Sequence, residues 1–357
     1  MISIRKLRKT FQAQQGVVNA LKEIDLEVAE GDFCVLLGPS GCGKTTTLRC
    51  VAGLERPDAG EIEISGRTVN APASRIFVPA EKREIGMVFQ SYAIWPHMNV
   101  FENVAFPLTQ GQKRVAKSLV ADRVRTALKR VQLDGLEDRP ATDLSGGQQQ
   151  RVAMARAMVT DAKVLLMDEP LSNLDARLRE QMRVELKKIT KSIGVTTLYV
   201  THDQAEALSL GDKVCVMNHG EILQIASPNE VYAKPANLFV AQFVGEMNFV
   251  KGAVAGPGKI ESALGVITAP IPTGVTTGAA VTLAIRPEHV EVFPSESQAA
   301  ATATGRVATR SYLGDSALLE VEVNGVTLLA KLAGDTSLTV GQNAAVGFPA
   351  HRWHVFP

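Results

Sequence analysis

The stretch "FCVLLGPSGCGKTTTLRCVAG", residues 33–53, carries a short apolar run, a glycine-rich loop and a helical segment in immediate succession. The apolar run at 33–37 is typical of a buried strand, and the residues after the loop have helical character. Between them, "GPSGCGKT" at 38–45 fits the pattern G-x-x-x-x-G-K-[ST]. Because a strand precedes this pattern and a helix follows it, the stretch predicts a phosphate-binding loop.

The residue types of this loop match what phosphate binding needs. Backbone N–H groups can converge on phosphate oxygens only where glycines leave room, and a helix N-terminus favours anions. Lys44 adds a positive charge toward the β- and γ-phosphates, and the Thr45 hydroxyl can bind Mg²⁺. The alternative is an ordinary glycine turn, although composition alone produces such a match in roughly 1% of chains of this kind. The predicted phosphate-binding residues are Gly38, Ser40, Gly41, Cys42, Gly43, Lys44, Thr45 and Thr46. Only the backbone of Cys42 is needed there, and we expect alkylation of its thiol to block the loop by bulk.

The composition sets limits on the class of protein. A chain of 357 residues exceeds what one core usually supports, so we expect two domains. Its net charge of +1 offers no electrostatic case for a nucleic-acid partner. No stretch approaches the roughly 18 to 20 apolar residues that cross a bilayer, and no signal peptide is recognised, so we expect a cytosolic chain. The four cysteines form no C-x-x-C pair, which argues against a structural zinc site.

Further buried strands are predicted at 163–169 and 196–203, with an amphipathic helix between them. Strands that alternate with helices predict a parallel sheet covered on both faces. The strand signal fades over about 91–160, so we expect a helical subdomain to interrupt the sheet there.

The pattern changes after "PNEVYAKPANLFVAQFVG" at 228–245. Short β-type runs separated by Gly, Pro and Ser turns follow, and they predict a small β-barrel of about 110 residues. We therefore divide the chain into one domain at 1–240 and a second at 241–357.

The segment "VLLMDEP" at 164–170 ends a hydrophobic strand in two carboxylates. Beside a phosphate loop, such a pair predicts that Asp168 holds Mg²⁺ and that Glu169 polarises the water that attacks the γ-phosphate. For this segment alone, a solvated acidic strand end is a sufficient alternative.

Four motifs in this order, "GPSGCGKTT", "LSGGQQQR" at 144–151, "VLLMDE" and "THD", resemble the nucleotide-binding subunits of ATP-binding cassette (ABC) transporters. The resemblance covers residues 1 to about 240 and implies an α/β P-loop NTPase domain, with a RecA-like core and a helical subdomain. It also implies that ATP and Mg²⁺ are the cofactors. In that family the LSGGQ segment closes over the ATP bound by a second subunit, which implies a homodimer. The residues concerned are Ser145, Gly146, Gly147 and Gln148. Without the resemblance, this segment could be simply a helix cap.

The resemblance assigns further positions. Gln90 would bind Mg²⁺ or the attacking water, and His202 would contact the γ-phosphate. Asp175 would face the partner's phosphate loop across the dimer interface. Phe11 would stack on adenine with Val18 beside it, the alternative being a core phenylalanine. The metal-binding set is then Thr45, Gln90 and Asp168.

Because this chain has no membrane segment, the resemblance implies two separate integral-membrane permease subunits. The segment after Gln90, residues 91–106, would form the groove that accepts them. Trp95, Phe101 and Phe106 are candidate anchors there, or core residues of the helical subdomain. The protein would then lie at the cytoplasmic face of the inner membrane as a peripheral subunit.

The C-terminal part resembles the small all-β, OB-like TOBE domains of importer subunits, most clearly in "LAIRPEHVEV" at 283–292. The segments "SYAIWPHM" at 91–98 and "FVGEMNF" at 243–249 resemble those of ferric-iron or polyamine importers, with importers of sugar or another small solute as the alternative. An external solute-binding protein and the permease would select the cargo. Two other classes of protein are alternatives: a soluble ABC ATPase acting on nucleic acid or ribosomes, and an autonomous phosphotransferase that uses Glu169 as base.

Overall fold

The computed structural model describes residues 1–13, 16–110, 115–294 and 302–357. The chain divides into two compact units, Met1–Ala233 and Lys234–Pro357. This division falls a few residues before the boundary placed from the sequence at 240 and 241. In the described part of the chain, no helix is long and apolar enough to cross a membrane. Residues 111–114 of the predicted helical subdomain lie outside the described residues.

The first unit is built from both strands and helices. Its strands are β1 Ile2–Ala13, β2 Gly16–Val28, β3 Phe33–Leu37, β4 Ala59–Ile64, β5 Arg67–Ala71, β6 Ile76–Phe77, β7 Ile85–Val88, β8 Val164–Asp168, β9 Thr196–Thr201, β10 Lys213–Asn218 and β11 Glu221–Ala226. Its helices are α1 Lys44–Ala52, α2 Val100–Gln110, α3 Lys117–Arg130, α4 Gly146–Met158, α5 Ala176–Ile193, α6 Gln204–Leu210 and α7 Pro228–Ala233.

One sheet of this unit has the strand order β11-β10-β3-β9-β8-β7. All neighbours pair in parallel except β10 and β11. Every residue of β3, β8 and β9 is buried, as expected for a parallel sheet covered on both faces. Because β3, β9 and β8 are adjacent, the segments that follow them meet at one edge of the sheet. That edge carries the phosphate loop, the acidic pair and His202.

A second, antiparallel sheet has the order β2-β1-β4-β5-β6, and the sequence patterns did not predict it. Its apolar face shares one core with the parallel sheet and α1, as Leu26, Leu36, Leu48 and Ile62 illustrate. The pairing of β1 with β2 shifts register several times along its length. Such irregularities interrupt the alternation by which a strand is recognised from its sequence.

Between β7 and β8 the chain forms α2, α3 and α4, which pack against one another. Helix α4 also contacts β7. The helices therefore occupy the part of the sequence in which the strand signal fades.

Among its described residues, the second unit contains one short α-helix, α8 Leu238–Phe243, and 3₁₀ turns at Pro287–His289 and Ala350–Arg352, and its other elements are strands. These strands are β12 Asn248–Gly256, β13 Lys259–Ser262, β14 Gly265–Thr268, β15 Ala280–Ile285, β16 Glu291–Pro294, β17 Ala303–Tyr312, β18 Ser316–Val323, β19 Val326–Ala333, β20 Asn343–Gly347 and β21 His354–Phe356. They form two antiparallel sheets, β14-β13-β12-β15-β21 and β16-β20-β17-β18-β19. Side chains from both sheets share one core, which includes Leu283, Leu319 and Trp353.

Candidate active site

The phosphate loop connects β3 to α1, and close packing requires glycine at two of its positions, Gly38 and Gly43. A Cβ atom at Gly38 would lie 2.3 Å from the carbonyl oxygen of Met217, and one at Gly43 would lie 2.6 Å from that of Ala20. Gly43 is the N-cap of α1 with a φ of 107°, a conformation that favours glycine. As a glycine, Gly43 has no side chain with which to cap the helix, which leaves N–H groups of the first turn for an anion.

Lys44 lies inside this loop and is only 5% exposed. Its ammonium group donates hydrogen bonds to the carbonyl oxygens of Gly38, at 2.8 Å, and Pro39, at 2.9 Å. The Cys42 sulfur is 3.9 Å from the same nitrogen. Burial raises the pKa of the Cys42 thiol, and the nearby Lys44 charge opposes that shift only in part. The positive charge of the loop is therefore contributed by a lysine whose position the loop itself determines.

Thr45 and Asp168 come together although they are far apart in sequence. The Thr45 hydroxyl donates to Asp168 Oδ1 at 3.0 Å. Burial raises the pKa of Asp168, while the hydrogen bond from Thr45 lowers it. A hydroxyl beside a single carboxylate suits Mg²⁺, which takes one or two carboxylates and completes its shell with phosphate oxygens and water. The described residues contain no cluster of three or more His, Cys, Asp or Glu side chains that could bind a metal by themselves.

Glu169 and His202 form the second pair at this edge, with Glu169 Oε2 and His202 Nδ1 3.1 Å apart. Glu169 has a φ of 44°, which is strained for a residue with a Cβ. Three hydrogen bonds hold this backbone. Its N–H donates to the Val200 carbonyl at 3.0 Å, and its carbonyl accepts from the Ser172 hydroxyl at 2.9 Å and from the Ser172 N–H at 3.2 Å. In this backbone conformation the Glu169 carboxylate lies next to the imidazole of His202, and the His202 side chain is 58% exposed.

Of these groups, Lys44, Thr45 and Glu169 border an open cleft of about 570 Å³, whereas Asp168 and His202 are not among its lining residues. It is lined by Val18, Asn19, Ala20, Lys22, Ser40, Gly41, Gly43, Lys44, Thr45, Thr46, Glu169 and His219. Phe11 pairs with Val18 across the first hairpin. Its ring is 38% exposed, unlike that of a core phenylalanine, and Lys9 Nζ lies 4.9 Å from its centre. The candidate adenine platform is therefore exposed to solvent beside a wall of the cleft.

Four residues of the cleft, Asn19, Ala20, Lys22 and His219, were not predicted from the sequence. His219 lies in the turn between β10 and β11. The next residue, Gly220, donates its N–H to the Cys42 carbonyl at 3.0 Å, which holds this turn against the phosphate loop. No sequence pattern signals such a contact, because it joins two distant loops.

The LSGG segment begins α4 with Ser145 as its N-cap. The Ser145 hydroxyl accepts from the Gln148 N–H at 3.4 Å, and Gln148 Oε1 accepts from the Ser145 N–H at 3.0 Å, a reciprocal capping box. A Cβ at Gly147 would meet Leu178 at 3.3 Å, and Asp175 caps α5 by accepting from the Leu178 N–H at 3.0 Å. Among the described residues that line the cleft, none belongs to 145–148, and Asp175 and Gln90 are also absent.

Gln90 begins a strained segment that two other elements hold. Its carbonyl accepts from Asn173 Nδ2 at 2.9 Å. Arg156 of α4 donates to the carbonyls of Tyr92, at 2.6 Å, and Ala93, at 2.7 Å, both of which have positive φ. The Arg156 guanidinium also lies 4.5 Å from the centre of the Trp95 ring.

A smaller groove of about 240 Å³ adjoins this segment and is lined by Phe89, Trp95, Pro107 and Arg156, among others. The Trp95 and Phe106 rings are in contact, with their centres 4.2 Å apart. Phe101 is half-buried. Two of the three candidate anchors therefore pack on each other.

A phosphate loop and an acidic pair at the carboxyl edge of one parallel sheet define a P-loop nucleotide-binding protein. The family model described as ABC transporter matches residues 21–172, and the TOBE domain model matches residues 283–356.

Curated relatives extend this match along the chain. It is 44% identical to the trehalose/maltose import ATP-binding protein MalK of Thermococcus litoralis, over 96% of this chain and 94% of the relative. It is 44% identical to the spermidine/putrescine import ATP-binding protein PotA of Nitratidesulfovibrio vulgaris, over 88% and 84%. It is 39% identical to the sn-glycerol-3-phosphate import ATP-binding protein UgpC of Vibrio vulnificus, over 100% and 93%.

Two solved structures of ABC cassettes are similar to this chain. The dimeric structure of MJ0796, a bacterial ABC transporter cassette, is 31% identical, with a TM-score of 0.55 over 64% of this chain and 99% of that one. The structure of cbiO1 from Clostridium perfringens, part of an ABC transporter complex, is 29% identical, with a TM-score of 0.57 over 66% and 91%.

The chain belongs to the family of ATP-binding subunits of ABC importers that carry a C-terminal TOBE domain. It is an ATPase coupled to transport. The predicted fold class, an α/β P-loop NTPase domain followed by a small all-β OB-like domain, is confirmed. The predicted ferric-iron or polyamine type is not singled out, because the relatives are named for sugar, polyamine, glycerol phosphate and sulfate import.

Proposed function

We propose that this chain hydrolyses ATP at two shared sites of a homodimer and thereby drives solute import through two integral-membrane permease subunits at the cytoplasmic face of the inner membrane. The observation that carries the proposal is the Glu169–His202 pair, 3.1 Å apart beside the phosphate loop. A carboxylate and an imidazole in contact, next to a phosphate cradle, suit the activation of water for attack on phosphorus.

In this proposal each residue has a distinct task. The N–H groups from Gly41 to Thr46 and the Lys44 ammonium bind the phosphates. Glu169 accepts a proton from the attacking water, and His202 contacts the γ-phosphate. Phe11 and Val18 hold the adenine.

Thr45 and Asp168 would hold Mg²⁺, with Gln90 as a further ligand or as a contact to the attacking water. When bound, Mg²⁺ neutralises charge on the β- and γ-phosphates. The 3.0 Å contact between the Thr45 hydroxyl and Asp168 supports this assignment, since it brings two oxygen ligands together beside Lys44.

The location of the LSGG segment supports a shared site. Residues 145–148 and Asp175 do not line the cleft that contains the phosphate loop. A second copy of the chain would bring its Ser145 hydroxyl and the N–H groups of Gly146 and Gly147 to the γ-phosphate. The dimeric cassette named above has the same overall fold as the first unit, which supports this arrangement.

For the cargo, ferric iron or a polyamine remains our first assignment, and a relative named for spermidine and putrescine supports the polyamine. A sugar is supported about equally by the trehalose/maltose relative. In either case an external solute-binding protein would carry the cargo to the permease.

The decisive variant is Glu169→Gln, which keeps the shape of the side chain and removes its basicity. We expect kcat for ATP to fall by about 100-fold or more while ATP still binds and traps a closed dimer. Turnover and size-exclusion chromatography with ATP measure the two effects. The control is Glu180→Gln, which changes an exposed carboxylate of α5 and should leave both unchanged. Undiminished turnover in Glu169→Gln would remove that residue from the role of base.

The partners and the cargo require a separate experiment. Purification from detergent-solubilised membranes should recover two hydrophobic subunits with this chain, whereas recovery of ribosomes or nucleic acid would favour the soluble ABC ATPase. Recovery of neither would favour the phosphotransferase. A search of the neighbouring genes for a secreted solute-binding protein supplies the cargo test: that protein, loaded in turn with a polyamine, ferric iron or a sugar, should stimulate the assembled ATPase only with its own cargo.

A further inference from the structure

Glu206 is a buried carboxylate that none of the reactions above uses. It lies in the first turn of α6 and is only 3% exposed. One of its oxygens, Oε2, accepts hydrogen bonds from the Tyr199 hydroxyl and the Thr201 hydroxyl, each at 2.7 Å. Burial raises the pKa of Glu206, and these two hydrogen bonds lower it. Burying a carboxylate is costly, and this one lies only four positions after His202 in the sequence.

The local sequence D-x-x-E at 203–206 is the pattern of a capping box. Asp203 makes the first contact of such a box, since its Oδ1 accepts a hydrogen bond from the Glu206 N–H at 3.0 Å. In a complete box the Glu206 side chain would bind the Asp203 N–H in return. Here that N–H donates to the Thr201 hydroxyl oxygen at 3.0 Å, and the carboxylate turns inward instead.

The Thr201 side chain therefore connects the residue before His202 to the residue after it. Its hydroxyl oxygen accepts from the residue after the histidine, while its single proton goes to Glu206. A hydroxyl has one proton to donate, so the carboxylate determines which way it points. Without that acceptor, the hydroxyl can rotate and donate to a nearby carbonyl, which weakens its contact with the Asp203 N–H.

We propose that Glu206 is a positioning residue for His202. By orienting the Thr201 hydroxyl, it holds the backbone on both sides of the histidine and keeps the imidazole against Glu169. This inference rests on the proposed function, because it requires His202 to take part in hydrolysis.

Four variants of the full chain separate positioning from simple stability. Glu206→Leu removes the acceptor, and Thr201→Val removes the bridging hydroxyl but keeps the branched shape. Tyr199→Phe is the matched control, because it removes an equally short hydrogen bond to the same oxygen without touching the histidine's flanks. Glu206→Gln keeps one oxygen that can accept both bonds and should rescue function.

We expect Glu206→Leu and Thr201→Val to lower kcat by about 10- to 100-fold, with KM for ATP changed less than about twofold. Tyr199→Phe and Glu206→Gln should stay within about threefold of the parent kcat. Placed in a His202→Ala background, Glu206→Leu and Thr201→Val should cost no further activity, because residues that act through one group are not additive.

The proposal is overturned if Tyr199→Phe lowers kcat as much as Thr201→Val, if Glu206→Gln is as impaired as Glu206→Leu, or if the losses persist in the His202→Ala background. Should Glu206→Leu fail to fold, Thr201→Val alone and in that background decides the question. A His202→Ala protein that retains full turnover would instead contradict the proposed function, whatever the other variants do.

Discussion

Cys42 shows how the phosphate loop constrains a single side chain. Its backbone belongs to the loop that borders the cleft, yet its sulfur is buried and lies 3.9 Å from the Lys44 ammonium. Burial raises the pKa of this thiol, so at neutral pH it is even less ionised than a free cysteine. The other cysteines are buried as well, and burial raises the pKa of Cys34 and of Cys50 to about 12.

A thiol-labelling experiment checks this state. Since the thiolate is the reactive form, maleimide at neutral pH should modify the native protein far more slowly than the urea-unfolded chain, in which all 4 cysteines react. The native rate should rise only as the pH is taken above 9, the usual pKa from which these thiols are shifted upward. Fast labelling of Cys42 in the native protein would contradict the burial, and labelled protein that keeps full turnover would contradict the expected block by bulk.

At the scale of one element, the N-terminus of α4 is a helix cap in the structure, and in our proposal it is also part of a nucleotide site. Ser145 caps the helix within its own chain, but its hydroxyl accepts over a long 3.4 Å. Such a cap contributes modestly to stability, at the lower end of the usual range of about 0.5–2 kcal/mol. In our proposal the same hydroxyl binds the ATP of the partner copy, so removing the hydroxyl removes that contact as well.

Ser145→Ala should therefore lower the free energy of unfolding by about 1 kcal/mol or less while reducing ATP turnover far more than that loss explains. Urea denaturation measures the first effect and steady-state hydrolysis the second. Asn237→Ala is the matched control, since Asn237 caps α8 at 3.0 Å and carries no nucleotide motif. Turnover lost equally in both variants, or in neither, would mean that Ser145 is only a cap.

At the scale of the whole molecule, each compact unit has a hydrophobic core of its own. The chain has 2 tryptophans, and they fall in different units. Trp95 packs against Arg156 and Phe106 in the first unit, and Trp353 belongs to the core of the second. Each tryptophan therefore reports the unfolding of its own unit.

Trp353→Phe leaves Trp95 as the only tryptophan, and Trp95→Phe leaves Trp353. The unfolding transitions of these two proteins should respond differently to nucleotide. Because a ligand stabilises only the folded state that binds it, Mg-ATP at about 100 times its Kd should stabilise the unit reported by Trp95 by about 2.7 kcal/mol. The transition reported by Trp353 should not move. Fluorescence-monitored urea unfolding measures both, with the Glu169→Gln change present in each to prevent turnover. Lys44→Ala should abolish the shift, and an equal shift of both reporters would mean that the units do not unfold independently.

The parallel sheet and the main motifs could be predicted because their signals are local. The strand before the phosphate loop is a run of five apolar residues, and Gly43 has the φ of 107° that its turn demands. The antiparallel sheet could not be predicted in the same way, because the register shifts between β1 and β2 interrupt the alternation of apolar residues. The strained φ of Glu169 also has no signature in the residues around it.

The chain by itself determined the phosphate loop, the acidic pair and the buried strands that precede them, because glycine conformations, apolar runs and strand ends depend on residues near each other in sequence. Only the tertiary structure decided that Thr45 meets Asp168, that the turn at His219 lines the cleft and that Glu206 holds the Thr201 hydroxyl next to His202 in the chain. These contacts depend on which side chains the sheet edge brings within about 3 Å of each other, and hydrogen bonds weaken steeply beyond that distance. Sequence patterns specify the helices and strands, whereas hydrogen-bond distances between side chains of different elements are fixed only when those elements pack together.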